Sequence, residues 1–259
     1  MRIGDFDTNS DALKNRVDLQ KTLGSFDLNA WIFSHLSLFD GAACLDLGCG
    51  RGNQSIPLAK IIGQSGKLIS LDMSQNSLQV MMGEAGKEGV KERIVPVVSG
   101  LDDMAQHLTG KKFDCVIGCY SLYYVRDALK MFSVINQHLN HKGQVFFCGP
   151  SCDNNSELRR LIADASDCVD VLEPTVASIF MEETSPDICK NIFDEVTVTK
   201  FENSVVFPDA NSVLTYWKSH NLFDETIVAE VERRVKQHFE TYGEFLNTKR
   251  GIGILAAKY

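Results

Sequence analysis

From residue 43 to residue 149 the chain alternates between two hydrophobic periods. Short, nearly unbroken apolar runs stand at 43–47, 67–72, 93–98, 113–119 and 143–149. Runs of that length and continuity predict strands covered on both faces. Between them, helical spacing predicts helices at 53–62, 74–86 and 127–139 and a short one at 101–108. Ser74 is placed to cap the second of these, and Pro57 falls in a first turn, where its missing N–H is tolerated. Pro96 interrupts the third strand and predicts an outer position for it. Strand and helix in strict alternation predict parallel strands joined by helical crossovers.

Beyond Pro150 the pattern loosens. Residues 155–170 read as helix and 171–193 as an open, lid-like stretch. Residues 195–207 alternate as a long strand, helices follow near 209–219 and 224–241, and a last strand runs near 245–257. The first 40 residues read as helical from about Ser10, with Phe26, Trp31, Phe33 and Phe39 as apolar anchors. No repeat or linker interrupts the chain. The expected organisation is a single domain over 1–259, with an N-terminal helical cap (1–40), a core (41–150) and substrate-side elements (151–259) that carry a helical insertion at about 208–242.

Composition changes this picture little. With 259 residues and 44% hydrophobic residues, no staple is needed to complete a core. No apolar run approaches the ~18 residues of a membrane span. The polar, acidic first residues match neither a signal nor a transit peptide, and a cytoplasmic location is expected. The net charge of −8 and scattered basic residues argue against nucleic-acid and membrane partners. Eight cysteines without a secretory signal read as reduced thiols. Cys115 and Cys119 have a spacing zinc tolerates, but on a strand-like apolar run they read as small buried hydrophobes.

Chemistry concentrates where the first strand ends. Asp46-Leu47-Gly48-Cys49-Gly50-Arg51-Gly52-Asn53 carries a strand into a glycine-rich turn and then a helix. Such a turn lets a ligand approach the backbone and meet helix N-terminal amides. The dinucleotide fingerprint G-x-G-x-x-G fails by one residue, because Asn53 stands at the third glycine position. An acid two residues before the first glycine suits a cofactor with a cationic end. Asp72, 24 residues after Gly48, closes the second strand, where a carboxylate can accept ribose hydroxyls. Met73 beside it can cover an adenine face.

At these residues the chain resembles the class I S-adenosylmethionine (SAM) dependent methyltransferases. Leu71-Asp72-Met73-Ser74, Phe113–Ile117 followed by Cys119–Tyr124, and Leu139-x-x-Lys142-Gly143-Gln144-Val145 extend the likeness over about residues 41–150, with His141 and Gln144 as departures. The resemblance implies a Rossmann-like α/β fold. Its seven-stranded, mostly parallel sheet has helices on both faces and an antiparallel last strand. It also implies SAM as cofactor. Gly48, Cys49 and Gly50 would then pass the methionine moiety by backbone contact, with Asp46 near its ammonium and Asn53 among the cofactor-binding residues. Asp72 would hold the ribose, and Met73 would pack on the adenine. Gly100, Leu101 and Asp102 would meet the adenine amine; the family often has an acid directly after that glycine, where this chain has Leu101. Cys119, Tyr120 and Ser121 would line the methyl-donor end.

The family has no universal catalytic residue, because the donor arrives activated and the protein mainly aligns two reactants. His35 is the candidate base, ahead of His141, His220 and His238. Trp31, Tyr124 and Asn155 are candidate acceptor contacts, with Asn154 beside the last. Aromatics in the late insertion (Phe207, Tyr216, Trp217 and Phe223) hint at an apolar acceptor. The nucleobase methyltransferase motif is absent after the fourth strand, as are a paired-glutamate loop and a catechol-type metal constellation. The expected activity is therefore metal-independent O- or N-methylation of a small molecule. Two alternatives stand beside it: a SAM-binding regulatory protein without catalysis, and an NAD-dependent oxidoreductase.

Overall fold

The computed structural model describes residues 23–24 and 26–259. The helix expected from Ser10 falls mostly outside them. Seven strands form one sheet in the order β3-β2-β1-β4-β5-β7-β6. They are β1 (Ala43–Leu47), β2 (Lys67–Asp72), β3 (Ile94–Val98), β4 (Phe113–Cys119), β5 (Leu139–Pro150), β6 (Glu195–Phe207) and β7 (Phe245–Ala257). The first five are parallel throughout. β7 is antiparallel to β5: Lys258 N–H bonds Gly143 C=O near the start of β5, and Ser151 N–H bonds Arg250 C=O just past its end. The Rossmann-like sheet expected from the resemblance is thus present. Pro96 lies on β3, at the sheet's outer edge, as its missing N–H requires.

The described residues divide into two compact units. One comprises residues 28–149, 176–200 and 252–259. It contains α1 (Leu28–Ser34), α2 (Ser55–Ile61), α3 (Gln75–Lys87) and α4 (Ala128–His138). Successive strand residues face opposite sides. Leu45, Leu47 and Val116 pack with Phe132 and Ile135 of α4. Cys44, Cys115 and Ile117 pack on the other face with Leu58 of α2 and Leu78 and Met81 of α3. Helices therefore cover both faces of the parallel strands. Ser74 caps α3, its hydroxyl accepting from Ser77 N–H at 3.2 Å, and Asp127 caps α4 through Lys130 N–H at 2.9 Å.

The stretch expected to be open is helical. Val176–Ile179 runs through a π-turn at Phe180–Thr184 into a further helix, Ser185–Ile192. The π-turn inserts an extra residue, and the buried face continues across it through Phe180, Met181, Ser185 and Cys189. Pro186 resembles a loop signal but occupies the first turn of that helix, where proline is accommodated.

The other unit comprises residues up to 27, 150–175 and 201–251. It contains α5 (Ser156–Ser166), with a helix at Ala210–Lys218 and another at Val228–Tyr242. Its core is Leu158, Ile162, Val213, Tyr216, Trp217, Val231 and Val235, with Phe207 and Phe245. Phe207, Tyr216 and Trp217 are at most 1% exposed, and Phe223 packs against the same cluster. Phe207, Tyr216 and Trp217 are therefore core groups, with Phe223 half-buried against them. Phe26 stacks on Phe201 with ring centroids 5.0 Å apart. Of the N-terminal anchors expected, Phe39 is 54% exposed.

Candidate functional site

Strands β1, β2, β3 and β4 run parallel, so the turns after Leu47, Asp72, Val98 and Cys119 emerge along one edge of the sheet. That edge collects thirteen of the candidate residues: Asp46, Gly48, Cys49, Gly50, Asn53, Asp72, Met73, Gly100, Leu101, Asp102, Cys119, Tyr120 and Ser121.

The first turn is shaped by three glycines at positive φ: Gly48 at +75°, Gly50 at +52° and Gly52 at +85°. Their surroundings differ. A Cβ at Gly48 would stand 2.3 Å from the Ser121 Cβ, and one at Gly52 would stand 2.4 Å from Met81. A Cβ at Gly50 would meet nothing within 4 Å. Gly48 and Gly52 are thus explained by the protein's own packing, whereas the bare face of Gly50 is open to a ligand.

Asp72 holds this turn to the next strand. One carboxylate oxygen accepts from Gly50 N–H at 2.8 Å and the other from Ser74 N–H at 2.8 Å. Each oxygen keeps a lone pair for a further donor. Met73, next to it, is 59% exposed. Gly100, where the turn after β3 begins, is likewise open, with nothing within 4 Å of a built Cβ. Leu101 packs toward the core. Asp102 is bound to Arg126, accepting from its backbone N–H at 3.0 Å and from Nε at 2.8 Å. The Arg126 hydrogen bond holds the Asp102 carboxyl below the ordinary carboxylate range.

Asp46 lies beneath the turn, 2% exposed, and accepts from Ser55 Oγ at 2.6 Å. Burial pushes its pKa up to about 7, partly offset by that hydroxyl and reinforced by the charge of Asp72. Among the described residues, no cation is paired with it. Burial also pushes the Cys49 thiol far up, so Cys49 is a neutral packing group.

At the exit of β4, Tyr120 takes the left-handed conformation (φ 58°) and donates its backbone N–H to Cys148 C=O at 2.8 Å. The Ser121 hydroxyl is spent on Leu47 C=O at 2.5 Å, which closes β4's exit against the end of β1. Cys119 and Cys148 are register partners, and the hydrogen bond between their side chains helps hold the Cys119 thiol high. Tyr124 is half-buried, its ring 4.7 Å from that of Tyr123.

Trp31 and His35 lie at α1 in the same unit. Trp31 meets His35 and Phe146 edge-on at 4.9 and 5.6 Å. His35 is half-buried, and its Nδ1 lies 2.7 Å from Trp31 C=O. A carbonyl can only accept, so Nδ1 carries the proton and Nε2 of the neutral ring keeps the lone pair. Asn155 belongs to the other unit. It is 2% exposed, and its side chain is tied to Tyr216, His220 and Asn247. It has no free face of its own for an acceptor. Of the other candidate bases, His141 is exposed, His220 lies inside that same network, and His238 is bound to Glu244 C=O at 3.0 Å.

Sequence reading missed two residues at this edge. Arg126 pairs with Asp102 across 24 residues, and Asn29 of α1 bonds the backbone of Asn53 and the side chain of Gln54. Neither stands in a motif, and contacts of that span leave no local pattern.

Residues 38–201 match a family model described as a methyltransferase domain. The chain is 28% identical over 110 residues to the aklanonic acid methyltransferase DauC of Streptomyces sp. (strain C5), covering 42% of this chain and 49% of that protein. It is 32% identical over 120 residues to a demethylmenaquinone methyltransferase of Lactobacillus johnsonii, covering 45% and 48%. The chain spans about half the length of the curated relatives it matches. Among solved structures, a protein of Bacillus halodurans C-125 shares the fold at TM-score 0.61 and 12% identity, over 89% of this chain and 98% of that one. A geranyl diphosphate methyltransferase in complex with SAM shares it at TM-score 0.53 and 14% identity, over 89% and 84%.

Proposed function

Because the chain belongs to the methyltransferase-domain family, we propose that it transfers a methyl group from SAM to a small-molecule acceptor. The observation that carries this reading is the open face of Gly50 between Asp46 and Asp72. The residues present fit the cofactor. Bare Gly50 gives the backbone approach, buried Asp46 has no cationic partner among the described residues, and the oxygens of Asp72 have capacity left for two hydroxyls. Exposed Met73 and the open turn at Gly100 leave a surface on which the adenine can rest. When bound, SAM supplies a methyl group already activated on a sulfonium.

The protein's part is then alignment and exclusion of water. Gly48, Cys49, Gly50 and Asn53 shape the loop, and Asp72 orients the ribose. Leu101 and the Asp102–Arg126 pair fix the turn at the adenine edge. Cys119, Tyr120 and Ser121 form the wall at the donor end, with Tyr124 and Trp31 toward the acceptor. For a hydroxyl acceptor, His35 takes the proton at Nε2, the ring atom left free by its bond to Trp31. An amine acceptor needs no such base, so O- and N-methylation make different demands on His35.

DauC and the demethylmenaquinone methyltransferase act, by their names, on small organic acceptors, which supports an acceptor of that size here. The net charge of −8 favours such an acceptor over nucleic acid. No helix among the described residues is long and apolar enough to cross a membrane. All eight cysteines are free, which suits a cytoplasmic setting.

The test is transfer of labelled methyl from SAM to a panel of small phenols, enols and amines, alongside calorimetric titration with SAM. The reading expects binding and turnover, with binding abolished in Asp72→Ala. It also expects a loss of about 100-fold in kcat for hydroxyl acceptors in His35→Gln, with SAM affinity retained. Normal SAM affinity in Asp72→Ala overturns the ribose assignment. Binding without turnover on any acceptor returns the regulatory alternative.

A further inference from the structure

We infer that Asn29 is a positioning residue that ties helix α1 to the glycine loop, so that filling the cofactor site fixes α1 and the Trp31 ring it carries. This rests on the cofactor reading above.

Asn29 uses both ends of its amide on consecutive loop residues. Its Nδ2 donates to Asn53 C=O at 2.9 Å, and its Oδ1 accepts from Gln54 Nε2 at 2.9 Å. Only a side chain with a donor and an acceptor side by side can make both bonds. Gln54 stands at the cap position of α2 yet makes no capping bond with its side chain. Its amide is directed to Asn29 instead. That contact reaches 25 positions back along the chain.

The loop carries the open face on which the ligand would rest. It contains three glycines at positive φ, and it is held from within by Gly52 N–H on Cys49 C=O and Gly50 N–H on Asp72. A ligand resting on the bare face of Gly50 restricts this chain segment. Asn53 and Gln54 carry the restriction to Asn29.

The opposite footing of α1 is apolar. Ile32 is fully buried against Phe146 and Cys148. The Trp31 ring covers Gly253 so closely that a Cβ there would stand 2.4 Å from it. Tyr120 and Cys119 pack against the same cluster. Helix α1 therefore bridges the cofactor loop and the aromatic wall at the donor end. An element that touches both sites can couple them, and such a coupling is reciprocal.

The test is hydrogen exchange read by mass spectrometry on the full chain, with and without saturating S-adenosylhomocysteine. In the wild type the ligand is expected to protect both the 48–54 loop and α1. In Asn29→Ala the loop is still protected at saturation, α1 no longer is, and the ligand binds about 5- to 30-fold more weakly, the effect of losing two modest hydrogen bonds. Gln54→Ala reproduces part of the loss, and adding it to Asn29→Ala brings little more. Asn29→Asp, which keeps an acceptor for Gln54 but no donor for Asn53, falls between. Equal protection of α1 in the wild type and Asn29→Ala, with the loop protected in both, overturns the role of Asn29 and leaves the cofactor reading standing. A wild-type loop that the ligand does not protect overturns the cofactor reading and this inference with it.

Discussion

The glycines of the first turn look alike in the sequence and differ in what surrounds them, and that difference is measurable. Gly48→Ala places a Cβ 2.3 Å from Ser121 Cβ, in a buried contact that cannot yield without breaking the Ser121–Leu47 hydrogen bond. It is expected to lower the melting temperature severely. Gly50→Ala meets no atom within 4 Å and pays only for its left-handed backbone, about 1–2 kcal/mol. Its fold survives while its SAM affinity drops by an order of magnitude or more. Thermal melting and calorimetry on the two variants separate these outcomes, and normal SAM affinity in folded Gly50→Ala would remove the open face as the binding surface.

Asp46 supplies the pH dependence. Its pKa of about 7 lies well above the ordinary 3.8, so the ligand-free fold holds a proton that the unfolded chain releases. Stability of the ligand-free protein therefore falls as pH rises from 3.8 towards 7 and is flat in this respect above that. The ionised form is the one that a cofactor ammonium favours. SAM affinity is accordingly expected to rise between about pH 6 and 7.5, with uptake of the ligand releasing a proton. Calorimetry in two buffers of different ionisation heat reads that proton directly. Asp46→Asn should bind more weakly and without the slope; an unchanged slope in that variant would assign it to another group.

Elements were legible where the chain's local chemistry decides them. The strands at 43–47, 67–72 and 113–119 and the Ser74 cap coincide with the structure, because unbroken apolar runs and capping residues are local signals. Pro96 revealed the edge of the sheet for the same reason. The helices on either side of the π-turn at Phe180–Thr184 were not legible, since they are only four and eight residues long and carry Ser185 and Pro186 on their buried side. At the site, glycines and acids announced themselves by motif, while the uses made of them did not. Ser121 gives its hydroxyl to Leu47, Asp102 gives its carboxylate to Arg126, and Asn155 lies in a buried network with Tyr216 and Asn247. Each of those partners lies at least 24 residues away, beyond anything a periodicity or a spacing can express.

At the scale of the molecule, two units are built from segments that interleave along the chain: 150–175 and 201–251 form one core, while 176–200 and 252–259 join 28–149 in the other. Alternation of strand and helix is visible only in the continuous stretch, so the second core could be read as aromatic residues but not as a core. The same scale decides between the cofactor readings. A ligand that binds only the folded chain stabilises it by mass action, about 2.7 kcal/mol at 100 times its dissociation constant. For a chain of this length that shifts the melting temperature by roughly 5–10 °C. S-adenosylhomocysteine is expected to produce that shift and NADH none, because Asn53 occupies the third glycine position of a dinucleotide turn and Asp46 places an acid beneath its first. The shift with S-adenosylhomocysteine should disappear in Asp72→Ala while the ligand-free melt remains cooperative. A shift with NADH of similar size would instead favour hydride transfer on the same sheet and withdraw the methyl-transfer reading.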